Sequence, residues 1–176
     1  LVCPTTTGGI NWNSVGYSPD TNALYAPTNN TCMDYYLNPV NPVVGGYHSS
    51  ATSRKINLPD GDGQVGIFTA VDVATGESIW TYQQRAAITG SVLTTGGGLV
   101  FVTDDARRLR AFDADTGEIL WEQILNSSAG GFPTTYSVDG VQYIAIAAGG
   151  GINHRTLTPE IRQRSGGNML FVFKLP

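Results

Sequence analysis

Hydrophobic residues in this chain occur in short runs bounded by turn residues. The clearest runs are residues 92–102, 109–112, 132–137, 141–147 and 168–173, which are rich in Val, Ile, Leu, Phe and Tyr. Gly, Asp, Asn, Ser and Thr stand between and beside them. Short apolar runs with such boundaries are typical of β-strands, whereas helices need longer segments with a period near 3.6. The pattern therefore predicts an all-β protein.

One segment of the chain is repeated. Residues 70–80 and residues 111–121 share the pattern Asp-x-x-Thr-Gly-Glu-x-x-Trp at an offset of 41 residues. The Asp and Thr side chains can bond to the turn backbone, and the Gly tolerates a positive φ. Each copy thus predicts a β-hairpin whose second strand ends in a tryptophan. A weaker copy at residues 17–25 keeps the turn and has Tyr25 in place of the tryptophan.

Four short strands repeated at this interval are typical of one blade of a β-propeller. We expect about three blades or parts of blades over residues 1–176. Trp80 and Trp121 are predicted to be largely buried between neighbouring blades, each with its indole N–H bonded to backbone. The period is interrupted at about residues 33–63, where Asn-Pro, Gly-Gly and Asp-Gly pairs predict a long irregular loop on one face rather than a separate domain.

The composition agrees with an all-β fold and argues against several classes of function. The 22 Gly and 9 Pro disfavour a helical bundle, and 14% charged residues are too few for a coiled coil or a disordered tail. The net charge is −4 with scattered Lys and Arg, which argues against nucleic acid as a partner. The longest apolar stretch is far shorter than the roughly 20 residues of a membrane helix, so no membrane span is expected. Because the chain begins at Leu1 without a leader, we expect a fragment.

Metal and nucleophile motifs are weak. The run Asp60-Gly61-Asp62-Gly63 is similar to a calcium loop, but Gln64 stands where a third acid belongs and Val71 where the bidentate Glu belongs. His48 and His154 have no second His or Cys at ligand spacing, so we expect surface or hydrogen-bonded histidines. These motifs alone indicate no catalytic mechanism.

Two further features remain open from the residues alone. Cys3 and Cys32 match neither a zinc site nor a redox motif, which leaves one structural disulfide or two buried free thiols as alternatives. Asn11 and Trp12 follow Gly8-Gly9 near a predicted strand. An amide and an aromatic ring at such a place are a plausible ligand contact, and a structural role is the alternative.

The chain resembles the quinoprotein alcohol dehydrogenases, a family of eight-bladed propellers that bind pyrroloquinoline quinone (PQQ). The resemblance covers essentially the whole chain, including the two tryptophan repeats. It is also carried by Cys3-Pro4, residues 8–12, residues 19–25 and residues 30–34. It implies that Cys3 and Cys32 form a disulfide, that the protein is periplasmic or otherwise extracytoplasmic, and that an N-terminal remainder completes the propeller.

The activity implied by this resemblance is oxidation of an alcohol. An aspartate base takes the hydroxyl proton while hydride passes to C5 of the quinone, Ca²⁺ or a lanthanide ion polarises the C5 carbonyl, and electrons leave to a cytochrome c. The family's catalytic aspartate, metal ligands and vicinal cysteines would lie upstream of Leu1. We therefore expect no catalytic residue and no metal ligand in this chain, which alone should be inactive.

The resemblance also implies which residues approach the quinone. The expected cofactor-binding residues are Asn11, Trp12, Thr89, Gly150, Gly151 and Ile152. The family usually has a tryptophan at the position of Thr89, and one branch has another near Asn153. A non-enzymatic PQQ-like propeller that serves as a scaffold in envelope protein assembly is the alternative. Asn11-Trp12 between the two cysteines distinguishes them, since a scaffold does not need this pair.

Overall fold

The computed structural model describes residues 1–47, 51–59, 61–150, 154, 156–162 and 167–175. Every regular element among these residues is a β-strand, which confirms the predicted all-β class. The strands are β1 (Gly16–Ser18), β2 (Ala23–Asn29), β3 (Thr31–Leu37), β4 (Ala51–Asn57), β5 (Gly66–Asp72), β6 (Ser78–Gln84), β7 (Leu93–Thr94), β8 (Leu99–Thr103), β9 (Arg108–Asp113), β10 (Ile119–Ile124), β11 (Thr134–Val138), β12 (Val141–Ala148) and β13 (Met169–Lys174).

The strands form three blade-like antiparallel sheets. The first sheet has the order β1-β2-β5-β6, the second has the order β7-β8-β9-β10, and the third has the order β11-β12-β13. In each sheet the strands follow their order in the chain, with β3 and β4 left out of the first sheet. This is the meander of a propeller blade, and the predicted blades are confirmed.

The repeated turns have the same geometry in both copies. The Asp72 and Asp113 carboxylates each accept hydrogen bonds from the backbone N–H groups two and three residues later. Gly76 and Gly117 have φ values of 75° and 73°, and the N–H of each donates to the carbonyl of its aspartate. A glycine is favoured at such positive φ because it has no Cβ to clash with the backbone. The conserved pattern of Asp, Thr and Gly within the chain is thus explained by the turn.

The predicted irregular loop at residues 33–63 is wrong for much of its length. β3 and β4 pair antiparallel from Thr31 opposite Asn57 to Leu37 opposite Ala51. We call this two-stranded ladder the insert hairpin. It was missed because most of its side chains are exposed or half-buried, so no alternation of apolar and polar residues marks it. Backbone hydrogen bonds hold the ladder together instead.

A disulfide joins the start of the chain to the insert hairpin, as the resemblance implied. Cys3 and Cys32 have a Cα–Cα distance of 4.4 Å, and Cys32 is fully buried. Beside them, Val2 and Met33 exchange two backbone hydrogen bonds of 2.9 Å. The segment before β1 is therefore fastened covalently to β3, just after the chain leaves β2 of the first sheet.

Two hydrophobic clusters fill the spaces between the sheets. One cluster joins the first and second sheets and contains Tyr25, Phe68 and Phe112; the other joins the second and third sheets and contains Phe101, Ile144 and Ile146. Trp80 packs against the first cluster, and its Nε1–H donates to the Ala114 carbonyl at 3.0 Å. This confirms the predicted tryptophan contact between blades, although Trp80 is only half-buried.

Trp121 does not have the burial predicted for it. Its side chain is 37% exposed, and its ring meets Phe173 edge-on with centroids 5.1 Å apart. The physical reason lies in the third sheet. Trp80 rests on the β9–β10 turn of the next sheet, whereas no strand pairs with the outer edge of β13 among the described residues. Trp121 thus has no equivalent turn to cover it.

No helix in the described part of the chain is long and apolar enough to cross a membrane.

Candidate functional site

The three sheets converge at their first strands. A Cβ added to Gly16 on β1 would lie 2.7 Å from side-chain atoms of both Val92 and Thr94, so β1 and β7 are in close contact. The segments that precede these strands are bonded in series: the Ser91 hydroxyl accepts from the Ser14 N–H at 3.0 Å, and the Ser91 N–H donates to the Gly131 carbonyl at 3.1 Å. In a propeller this is the side of the sheets that faces the central axis.

Buried polar groups are concentrated near these segments. Asn13 is 8% exposed and Thr89 is 1% exposed, and the Asn13 amide donates to the Thr89 carbonyl. The Thr89 N–H donates to the Thr103 carbonyl at 3.3 Å. The Thr103 hydroxyl donates to the Ala129 carbonyl, and Ala129 forms a β-bridge with Gly150. A chain of hydrogen bonds therefore leads from Asn13 through Thr89 towards Gly150.

A buried acid and a buried histidine lie beside this chain. Asp105 Oδ2 is 2.8 Å from His154 Nδ1, and neither residue is more than 2% exposed. Burial raises the pKa of Asp105; the hydrogen bond and charge of His154 and the Thr89 hydroxyl lower it in part, and the charge of Asp104 adds to the rise. Burial also lowers the pKa of Lys55 on β4, an effect that the charge of Asp105 reduces. The insert hairpin thus brings a cation towards this pair.

A buried ion pair belongs to the second sheet. Arg110 Nη1 is 2.7 Å from Asp104 Oδ2, and Arg110 Nε is 2.7 Å from Glu122 Oε2. Burial lowers the pKa of Arg110, but the charges of Asp104, Tyr82 and Glu122 outweigh it and raise the pKa overall. With its acceptors filled by Arg110, Gln84 and the Arg108 N–H, Asp104 serves the structure of this sheet.

The cofactor-binding residues implied by the resemblance lie in different surroundings. Asn11 is exposed and its amide donates to the Thr7 carbonyl at 3.0 Å. Trp12 is 53% exposed. Thr89 is buried, and Gly150 is exposed with no atom within 4 Å of an added Cβ. Gly151 and Ile152 lie outside the described residues.

The structure therefore brings together only part of the predicted set. Thr89 and Gly150 are linked through Thr103 and Ala129, while Asn11 and Trp12 reach Thr89 only along the chain through Asn13. Their role as cofactor-binding residues stays a prediction.

Sequence reasoning missed Asn13 and Asp105. Asp105 and His154 are 49 residues apart, and no spacing rule joins them. The prediction that His154 is a hydrogen-bonded histidine is confirmed, while His48 lies outside the described residues. In the run that is similar to a calcium loop, the Asp62 carboxylate accepts a hydrogen bond from the Gln64 N–H at 2.9 Å. Asp60 is not among the described residues. No group of three or more His, Cys, Asp or Glu side chains that could hold a metal occurs within the described ranges.

Three of the expected residues offer groups suited to a planar ligand that bears carbonyl and carboxylate oxygens. The Thr89 hydroxyl is buried and lies close enough to the Asp105 carboxyl to lower its pKa. The exposed Trp12 ring can pack against a flat ring system, and the open space at Gly150 allows close approach of its backbone. One hydroxyl, one amide and one aromatic ring form only part of such a site.

Comparison with known proteins identifies the family of the propeller. Residues 84–144 match the PQQ family model described as "Glucose/ethanol/alcohol dehydrogenase, beta-propeller domain". The chain is 38% identical to the 1-butanol dehydrogenase (quinone) of Thauera butanivorans, over all of this chain and 28% of that protein. It is 33% identical to methanol dehydrogenase [cytochrome c] subunit 1 of Methylorubrum extorquens, over 85% of this chain and 25% of that protein.

A solved structure gives the same result for the fold. The europium-containing methanol dehydrogenase superposes with a TM-score of 0.87 at 27% identity, covering 99% of this chain and 34% of that one. The chain spans less than a third of the length of the curated relatives that it matches in sequence. Sequence and structure together show that this chain is a part of the β-propeller of the quinoprotein alcohol dehydrogenase family.

Proposed function

We propose that this chain is the C-terminal part of a PQQ-dependent dehydrogenase, which as the full-length protein oxidises an alcohol. One observation carries the proposal. A chain that aligns over its whole length with a quinone-dependent dehydrogenase buries the hydroxyl of Thr89, one of the positions that the resemblance places beside the quinone. The single O–H donor of this hydroxyl can turn from the Asp105 carboxyl to a ligand oxygen.

The residues of this chain supply binding and orientation. When bound, PQQ supplies the two-electron chemistry, with Ca²⁺ or a lanthanide ion held by residues elsewhere in the full-length protein. Trp12 offers a ring on which a planar group can rest, and the Asn11 amide and the Thr89 hydroxyl offer donors to its oxygens. Gly150 and, by the resemblance, Gly151 and Ile152 allow the backbone to approach. We assign the base and the metal ligands to the rest of the protein.

The partners and compartment are part of this proposal. A cytochrome c acceptor is supported by the name of the methanol dehydrogenase relative, and the choice of Ca²⁺ or a lanthanide by the europium-containing structure. A periplasmic or other extracytoplasmic location is supported by the Cys3–Cys32 disulfide, because such bonds persist in oxidising compartments. The N-terminal remainder of the propeller is the partner that covers the open side of the third sheet. The scaffold alternative is not supported, since the relatives are named as dehydrogenases.

Titration of the full-length apoprotein with PQQ in the presence of Ca²⁺ or La³⁺ tests the proposal, followed by turnover of an alcohol with a dye acceptor. Thr89→Val should weaken PQQ binding about fivefold, the value of one hydrogen bond near 1 kcal/mol. Thr69→Val on the exposed face of β5 is the matched control and should bind PQQ as the parent does. A full-length protein that neither binds PQQ nor oxidises any alcohol would overturn the proposal. Turnover by residues 1–176 alone would show that the catalytic residues are misplaced.

A further inference from the structure

We propose that Asp105 is a positioning residue that, through His154, holds the turn of Leu157 and Thr158 against the second sheet, beside Thr89 of the proposed quinone site. The quinone part of this inference rests on the proposed function. The contact between Asp105 and His154 does not, because it is present in the structure of the chain itself. Neither residue belongs to the set that the resemblance placed beside the quinone.

The first support is where the two residues come from. Asp105 follows β8 in the second sheet, and its N–H donates to the Ala87 carbonyl at 2.9 Å. His154 follows β12 in the third sheet, a few residues beyond Gly150. The 2.8 Å contact between Oδ2 and Nδ1 therefore ties a segment of one sheet to the frame of its neighbour.

The second support is that His154 organises the residues after it. Its carbonyl accepts from the N–H groups of Leu157 and Thr158 at 2.8 and 3.1 Å, and from the Thr158 hydroxyl at 3.2 Å. Leu157 is 3% exposed and Thr158 is fully buried. Because this compact turn begins at His154, moving the imidazole away from Asp105 would displace the whole turn.

The third support is the position of Asp105 relative to Thr89. The Thr89 hydroxyl and His154 both lower the pKa of the Asp105 carboxyl, so both lie close to it. One carboxyl thus lies beside both His154 and Thr89, one of the proposed quinone-binding residues. The buried contact between the two side chains is costly to break by removing one partner, because the other polar group is left without its hydrogen bond. Its main effect is to select one arrangement of the two segments.

A second anchor of the same segment provides a matched control. Arg85 Nε is 2.7 Å from Glu160 Oε1, and the Arg85 guanidinium also donates to the Leu157 carbonyl. This ion pair is substantially exposed, with side chains 34% and 51% accessible. Exposed pairs are worth little, so Glu160→Gln removes a contact to the same turn without leaving a buried charge.

The experiment compares full-length apoprotein with its Asp105→Asn and Glu160→Gln variants by two measurements. Hydrogen–deuterium exchange of amides 156–162 reports the contact without any cofactor. PQQ titration reports affinity and the visible spectrum of the bound quinone. In Asp105→Asn we expect exchange at least about tenfold faster and PQQ affinity about 3- to 30-fold lower, with an altered quinone spectrum. In Glu160→Gln both measurements should remain close to the parent values.

The outcomes separate the two proposals. Faster exchange with unchanged PQQ affinity and spectrum in Asp105→Asn would overturn the positioning role and leave the proposed function intact. Equal losses of affinity in both variants, with an unchanged spectrum, would show a general structural effect and also overturn it. If the parent protein does not bind PQQ, the proposed function fails, and the exchange rates still decide whether Asp105 holds the segment. Should Asp105→Asn not fold, His154→Leu removes the same contact and carries the same test.

Discussion

Trp80 and Trp121 occupy the same place in the repeated motif, yet their surroundings differ. Trp80 lies among Tyr25, Phe68 and Phe112 with ring centroids 5.4 to 6.2 Å away, and it covers Gly117 of the next turn. Trp121 meets Phe173 and borders an open groove of about 640 Å³ between the second and third sheets. The motif therefore provides the tryptophan, and the neighbouring blade provides its site. A blade is complete only when the next one is present.

The largest expected effect is the loss of stability in Trp80→Ala. We expect the free energy of unfolding of the isolated chain to fall by about 3 to 5 kcal/mol, because the substitution removes a large aromatic contact and one hydrogen bond. Trp121→Ala should cost only about 1 kcal/mol, since part of the ring is already in water. Urea unfolding followed by circular dichroism measures both.

The same pair of variants tests the role of the missing part of the propeller. In the full-length protein a further strand and turn should cover Trp121, so the cost of Trp121→Ala should rise towards that of Trp80→Ala. Equal costs already in the isolated chain would contradict the comparison, and a small cost for Trp121→Ala in both proteins would show that nothing covers it.

The second expected effect concerns the two turn glycines of the repeats, of which only Gly117 supports a tryptophan. A Cβ at position 117 would lie 2.6 Å from Trp80 Cδ2, whereas a Cβ at position 76 meets nothing within 4 Å. Both glycines have nearly the same positive φ, so Gly76→Ala measures the backbone strain alone, about 1 kcal/mol. Gly117→Ala should cost about 1 to 3 kcal/mol more because of the steric clash. Thermal unfolding of the two variants that gave equal losses would refute the docking of Trp80 on this turn.

A smaller effect is expected at the carbonyl that Trp80 shares with Tyr25. The Tyr25 hydroxyl and Trp80 Nε1–H both donate to the Ala114 carbonyl at 3.0 Å. Tyr25→Phe should lower the free energy of unfolding by about 1 kcal/mol, because one buried hydrogen bond is lost. Tyr17→Phe, at an exposed hydroxyl 3.3 Å from Asn22, should change it by less than about 0.5 kcal/mol.

The last prediction uses the pH dependence of stability to distinguish the two sides of the second sheet. Trp80 contacts the rings of Tyr25, Phe68 and Phe112, which do not titrate at acidic pH, whereas the other side holds Asp105, which faces His154, Asp104 and Lys55. Because burial raises the pKa of Asp105, its contribution to stability is present below the ordinary Asp pKa and is lost as the pH rises through the raised value.

Asp105→Asn should therefore flatten the fall of stability with rising pH in that window, while Trp80→Ala should leave the slope unchanged. Unfolding of the chain at a series of acidic pH values measures the slopes. An equal slope in the parent and in Asp105→Asn would mean that Asp105 titrates as an ordinary carboxylate.

The repeats made the blades predictable because their turns are local. Asp72 and Asp113 bond to backbone two and three residues away, so the signal needs no distant partner. The insert hairpin gave no such signal, because its strands are mostly exposed and are joined across 13 intervening residues. The pairing of Cys3 with Cys32 came from the family resemblance and not from the spacing of the cysteines.

The candidate site was predictable only in part. Thr89 and Gly150 were found by resemblance, and the structure links them through backbone bonds. Asn13 meets Thr89, and Asp105 meets His154, only after the sheets have packed, and residues so far apart leave no periodic pattern. The sequence by itself determined the strands, the turns and the tryptophan at the end of each repeat, because these depend on neighbours within a few residues. Tertiary structure alone decided that Trp80 is covered while Trp121 is open, and that one buried carboxylate meets one buried histidine, since burial and charge pairing depend on which surfaces meet when the sheets pack.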